Sequence, residues 1–370
     1  MRSRNVTAFL FSNMHDDYLP ALTHARSMGS VPYGGRYRLI DFPLSNLTNA
    51  GISKVGIITK NNYYSLMDHI GSGKAWDLYR KNEGLFFLPP NTQSDEMYSG
   101  RIASLYQSRY FIKNSADEYV IMADCNVVGS IDYEKFMAAH LSSGADITLA
   151  YKDCDSPDMS DNLTLRVDDD NRVADVMVGK CSGDGCKNSL GLMMMRADLL
   201  LRLLEDCVSR HQMNFNLDIL QKNLHTLDIR GYEVAEYVDI ICSVESFYKS
   251  NMSLFDSEIR DAIFRKDRPV YTKVRDAAPA RYGLKSTAAN SLIADGCYIE
   301  GDVQNSIIFR DVHVGRDAAV KNSIIMQGAV ICEGADLNGT ILDKNVVIRS
   351  GRILSGAETF PFFVNKGCIV

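Results

Sequence analysis

Two acids, three arginines and one short loop carry the chemistry this chain could perform. Asp124 closes the apolar run Tyr119-Val-Ile-Met-Ala123, and Asp239 sits within Tyr237-Val-Asp-Ile-Ile241. An acid at a strand end can hold a divalent cation or cap the helix that follows. Arg26, Arg36 and Arg38 crowd one short stretch. Each can bind a phosphate-bearing anion or pair with an acid inside the fold. The loop Ser12-Asn-Met-His-Asp-Asp17 follows the apolar run Val6–Phe11. A phosphate cradle there needs glycine, because only glycine allows φ > 0 and close backbone approach. The loop has none, and it carries Asp16 and Asp17. Each carboxylate would repel a phosphate by about 1 kcal/mol at 4 Å even in bulk water. Two readings stay open: a disabled phosphate site, or a surface turn with solvated acids.

The elements that must position these residues alternate. Val6–Phe11, Lys54–Thr59, Tyr119–Ala123 and Ala145–Tyr151 read as strands, and Asp132–Ser142 and Ala197–Arg210 as helices. That order predicts an α/β domain over residues 1–265, with a Rossmann-type, mostly parallel sheet. Ligands in such sheets bind beyond the C-terminal ends of strands, where Ser12–Asp17 and Asp124 both fall. Residues 266–288, with Pro269 and Pro279 and no clear period, read as a linker. From 289 to 370 the texture is a repeat: Asn290-Ser-Leu-Ile, Asn305-Ser-Ile-Ile, Asn322-Ser-Ile-Ile and Asn338-Gly-Thr-Ile-Leu. Ile308, Val314 and Val320 recur every six residues within a turn. This is the hexapeptide pattern of a left-handed parallel β-helix. The apolar Thr359–Val364 either caps the last coil or joins a subunit interface.

Composition narrows the function classes. The chain has 370 residues and a net charge of −6, with a pI of about 5.7. An acidic balance argues against nucleic-acid and anionic-membrane partners. No apolar run reaches the roughly 18 residues of a membrane span. Val6–Phe11 is too short for a signal peptide and lacks a small-residue cleavage site. The nine cysteines contain no CxxC pair; Cys181 and Cys186 have no matching Cys or His pair and make a poor zinc site. Scattered thiols fit a reducing cytoplasm.

Residues 31–52 read VPYGGRYRLIDFPLSNLTNAGI. This signature, with the repeat region, resembles the ADP-glucose pyrophosphorylases (glucose-1-phosphate adenylyltransferases) over essentially the whole chain. The resemblance implies an N-terminal nucleotidyltransferase-like domain before the β-helix. In that family the opening loop is L-A-G-G-x-G-x-R-L. A gapless match places Asn13 and Met14 at the paired glycines, Asp16 at the next glycine and Tyr18 at the arginine. Met28 falls where R-A-K-P supplies a lysine, while Arg26 stays. The segment W-Y-x-G-T-A-D-A-V-x-Q corresponds to Met97–Gln107, keeping Tyr98, Gly100 and Gln107 for nucleotide but putting Ala103 at the acid. Asp124 and Asp239 match the Mg²⁺-binding acids, a site filled only with bound substrate. For the sugar phosphate, Lys180 fits after a one-residue slip, and Ser189 lies in Asn188-Ser-Leu-Gly191.

The damaged loop implies the GlgD-type branch: a regulatory, largely non-catalytic subunit in bacterial glycogen synthesis. Its partner would be a catalytic GlgC-type glucose-1-phosphate adenylyltransferase subunit in a heterotetramer. Arg26, Arg36 and Arg38 become candidates for a phosphorylated effector. Two alternatives remain. One is an active adenylyltransferase with a variant loop; the other is a hexapeptide acyltransferase, whose catalytic histidine would have to be His313. Residue His313, between Val312 and Val314, reads as outward-facing.

Overall fold

The computed structural model describes residues 5–80, 83–89, 100–153, 159–179 and 187–370. Nine strands form the N-terminal sheet: β1 (Val6–Phe11), β2 (Lys54–Ile58), β3 (Gly84–Leu88), β4 (Tyr119–Asp124), β5 (Ile147–Lys152), β6 (Leu163–Val167), β7 (Val173–Val178), β8 (Lys187–Arg196) and β9 (Ile229–Glu233). Their order is β7-β6-β8-β4-β1-β2-β3, with β5 paired to both β8 and β9. The pairs β1–β2, β1–β4, β2–β3 and β5–β9 are parallel. The pairs β6–β7, β6–β8, β5–β8 and β4–β8 are antiparallel. The expected parallel sheet is present as the run β4-β1-β2-β3, and an antiparallel half is built onto it around β8. Strands β6 and β7 are joined by residues 168–172 alone, and so short a return can pair only antiparallel.

Central strands are buried on both faces, so β1 and β4 read as continuous apolar runs. Helices cover the two faces. The helix Tyr133–Ser143 is capped by Asp132, whose carboxylate accepts the Lys135 N–H, and ends on Gly144 at φ +66°. Helix Ala197–Ser209 packs on the opposite apolar cluster with Leu199, Leu200 and Leu204.

The signature at 31–52 folds as a two-strand hairpin, Pro32–Tyr33 with Tyr37–Arg38, followed by helix Asp41–Asn49. Gly34 and Gly35 turn the hairpin at φ +57° and +85°. A Cβ on Gly35 would lie 3.7 Å from the Ile307 side chain, so this turn rests on the C-terminal domain.

That domain is the expected left-handed β-helix: three parallel five-stranded sheets whose strands rotate in turn. Ile299, Val314, Ile331 and Ile348 stack in register, as do Ile308, Ile325, Leu342 and Val364. The recurring asparagines turn the corners. Asn290, Asn305 and Asn322 take φ between +43° and +48°, and their amides form a ladder that runs on to Asn338. The first coil begins before the expected boundary at 289. Arg281–Tyr282 pairs with Tyr298–Ile299, and Thr287–Ala289 with Asp302–Gln304. Part of the expected 266–288 linker is thus β-helix. The segment Phe362–Val364 is a strand of the last coil, paired with Thr340–Leu342.

One apolar cluster joins the domains: Met28, Tyr33, Phe42 and Phe247 pack with Ile307, Phe309, Ile324 and Ile341.

Candidate functional site

A cavity of about 310 Å³ opens beyond the C-terminal ends of β1 and β4. Its floor is Asp124, 5% exposed. Both Asp124 oxygens accept from Arg101 Nη2, at 2.9 and 2.8 Å, and Oδ2 also lies 3.2 Å from His15 Nε2. Burial pushes this carboxyl up, but the Arg101 charge and the His15 contact outweigh it and hold it below the ordinary carboxylate value. Gly191 makes room. It has φ +65°, and a Cβ there would sit 2.2 Å from Asp124 Oδ2.

The loop after β1 is filled by its own side chains. Asp16 Oδ1 accepts the Met28 N–H at 2.7 Å and Oδ2 accepts the Asn13 amide at 2.6 Å. Asn13 Oδ1 in turn accepts from Ser12 Oγ and from the Lys60 N–H. Half-buried Asp16 supplies the anion that a phosphate would otherwise bring. Burial lifts its carboxyl above the ordinary value despite those hydrogen bonds. The solvated-acid reading therefore holds for exposed Asp17 and fails for Asp16. Tyr18 Oη donates to Asp161 Oδ1 at 2.5 Å, pinning the segment before β6 beside the cavity. Met14 lines the cavity, and Met28 is a core residue at 1% exposure.

The expected pair of metal acids does not converge. Asp239 starts the strand Asp239–Ile240, which pairs with Val127–Val128. Its carboxylate accepts from Tyr237 Oη at 2.9 Å and Ser250 Oγ at 2.6 Å. Successive strand residues face opposite ways. Here Ile240 lines the cavity and Asp239 does not. Mg²⁺ wants several oxygen ligands in octahedral array. Asp124 is engaged by a guanidinium and Asp239 does not line the cavity, so these residues do not fit the ion. Among the described residues no group of three or more His, Cys, Asp or Glu side chains is arranged to hold a metal ion.

Gly100 and Ser189 line the cavity; Ser189 Oγ accepts the Gly191 N–H at 3.3 Å. Gln107 ends the helix Arg101–Gln107 and lies off the cavity wall. Tyr98, Lys180, Cys181 and Cys186 lie outside the described residues. Sequence reasoning passed over Arg101, although it directly follows the quoted Gly100. It also passed over His15, in the loop itself.

The three arginines separate. Arg26 is spent on an ion pair: Nη2 donates to both oxygens of Asp343 in the β-helix at 2.8 Å, and both partners are buried. Arg36 and Arg38 line a second pocket between the domains with His69, Arg275, Arg310 and Lys344. Arg38 donates to Ser65, and Arg310 pairs with Asp295. Among the described residues Arg36, Arg275 and Lys344 form no ion pair. Burial, then the charges of Arg38 and Arg26, lowers the Lys344 ammonium to about 7. Burial likewise lowers Arg38 to about 10. Sequence reasoning missed Arg275, Arg310 and Lys344 because they are distant in the chain and meet only when the domains dock. Residue His313 faces outward as expected, stacked on Tyr298 and 3.3 Å from Glu300.

Comparison with known proteins agrees with this architecture. Residues 18–184 match the nucleotidyl transferase family, and residues 277–358 match the GlmU-like C-terminal hexapeptide family. The glycogen biosynthesis protein GlgD of Bacillus subtilis is 36% identical over 95% of this chain and 93% of its own length. The GlgD of Geobacillus stearothermophilus shows the same identity and coverage. The glucose-1-phosphate adenylyltransferase of Halalkalibacterium halodurans is 31% identical over 96% of this chain and 94% of its own.

Proposed function

The chain belongs to the family of GlgD proteins and glucose-1-phosphate adenylyltransferases, and from that premise we propose that it is a regulatory, largely non-catalytic subunit in glycogen biosynthesis. It assembles in the cytoplasm with a catalytic homologue that makes ADP-glucose and pyrophosphate from ATP and glucose 1-phosphate. One observation carries the reading: at the strand ends where that chemistry would occur, Asp124 is bound to Arg101 and the adjoining loop is closed by Asn13 and Asp16. Transfer from ATP needs backbone donors on the phosphates and a cation on the developing charge. Here the donor Met28 N–H is already satisfied by Asp16. Removing even one such stabilising donor costs roughly 10²–10³ in rate.

The intact features support a regulatory role. The inter-domain pocket gathers Arg36, Arg38, Arg275, Arg310 and Lys344, chemistry suited to a phosphorylated effector. A ligand there touches both domains, so its binding energy can bias how they dock and pass a coupling free energy to a neighbouring subunit. No helix among the described residues is long and apolar enough to cross a membrane.

The test is ADP-glucose formation from ATP, glucose 1-phosphate and Mg²⁺, by the purified chain and by the chain co-expressed with its host's catalytic homologue. The expected result is no turnover alone, and altered activity or effector response in the mixed complex relative to the homologue by itself. Robust turnover by the chain alone overturns the proposal.

A further inference from the structure

Arg101 occupies the place beside Asp124 where a cation would have to stand. It begins the helix Arg101–Gln107 and is itself 8% exposed. Its guanidinium centre lies 4.3 Å from the centroid of the Phe11 ring and 5.8 Å from that of Phe215. Such contacts hold a cation by the negative face of the ring. Nη2 spans both Asp124 oxygens, and Nη1, buried in the cavity wall, has no partner among the described residues. The neighbours are consistent with a fixed cation. Gly191 leaves space for the carboxylate, and the strand Asp239–Ile240 gives the cavity wall Ile240 rather than a carboxylate.

We propose that Arg101 is a built-in replacement for a divalent metal: it neutralises Asp124 permanently and closes that position to Mg²⁺. A metal would have to displace a buried guanidinium from its aromatic slot and leave that charge unpaired, which is costly in a sheltered site. It would gain a single carboxylate in exchange. Two residues keep the position metal-free, the arginine at 101 and the isoleucine at 240. Replacing both should open it. The inference does not rest on the subunit reading, because it concerns metal binding by the isolated chain.

The experiment measures Mn²⁺ binding by electron paramagnetic resonance, where protein-bound Mn²⁺ depletes the free-ion signal. The samples are wild type, Ile240→Asp and Arg101→Ala/Ile240→Asp, each with and without Asp124→Asn. Circular dichroism checks the fold. Wild type and Ile240→Asp should show no binding that depends on Asp124. The double variant should bind Mn²⁺ at least about tenfold more tightly than wild type, and Asp124→Asn should abolish the gain. Wild-type binding that Asp124→Asn removes overturns the proposal. So does a folded double variant that binds no better than wild type. If the double variant does not fold, Ile240→Asp decides: Mn²⁺ binding with Arg101 still in place refutes the block, and its absence supports it.

Discussion

At the scale of single residues, the loop after β1 and the glycine beside Asp124 make claims that can be checked. Asp16 and Asp17 are adjacent and identical in type, yet only Asp16 accepts the Met28 N–H and the Asn13 amide. Asp16→Ala strands a buried backbone donor and should cost about 1–3 kcal/mol in urea unfolding. Asp17→Ala, on the exposed side, should stay within about 0.5 kcal/mol. Equal losses would mean that the loop's internal bonds do not hold it. Gly191→Ala demands an alanine at φ +65° and a Cβ inside the Asp124 carboxylate. It should displace Asp124 from Arg101 and lower stability by about 1–3 kcal/mol; an unchanged urea midpoint would contradict the packing. The lack of glycine in the loop was legible from residue types alone, and glycine is the residue that lets a backbone approach an anion most closely. What filled it was not legible, because Asp16 finds its partners across a turn of the chain. The assignment of Asp239 went astray for a simpler reason. In a strand, one residue of register decides which face a side chain takes, and Ile240 holds the cavity face.

At the scale of elements, the β-helix shows where sequence periodicity speaks and where it goes quiet. Rungs such as Ile308, Ile325 and Leu342 are legible because each must point inward and stack on the one before. The first coil is not, because Tyr282 and Thr287–Ala289 are exposed and leave no apolar rhythm to read. The mixed half of the sheet is hidden likewise: periodicity predicts strands, not the direction of their neighbours. The asparagine ladder is legible as a repeat, and the structure supplies its cause in left-handed corners bridged by stacked amides. This separates two substitutions. Asn322→Ala forces an alanine to φ +48° and removes the ladder bonds, whereas Asn322→Gly removes only the bonds. Alanine should therefore destabilise more than glycine, by about 1 kcal/mol in thermal or urea unfolding. Equal losses would mean that the amides, not the backbone, set the corner.

At the scale of the whole molecule, the charged pocket depends on two domains being held together. The shared apolar cluster and the buried Arg26–Asp343 pair do the holding. Breaking that pair from one side leaves a buried charge, so Arg26→Met should cost about 3–5 kcal/mol, and Arg26→Met/Asp343→Leu should recover most of it. A double variant no more stable than the single one would show that the pair has no special coupling. Burial between the domains, with the charges of Arg38 and Arg26 that the clamp brings near, lowers the Lys344 ammonium to about 7. An anion in the pocket reverses the penalty and favours the charged lysine. Below pH 7 Lys344 is already protonated and binding takes up no proton there. Above pH 7 each binding event must load one, so affinity falls as pH rises, by up to about tenfold per unit, until the bound-state value is passed. Arg38 stays charged to about 10, and burial holds His69 below its ordinary value, so neither supplies the effect between pH 7 and 9. Sulfate suits the measurement because its own charge is constant over this range. Calorimetry in buffers of different ionisation enthalpy should show proton uptake at pH 8 that vanishes in Lys344→Met. Lys344→Arg, which carries its charge throughout, should bind sulfate with affinity independent of pH. Proton uptake that survives Lys344→Met would assign the linkage to another group and remove Lys344 from the effector site.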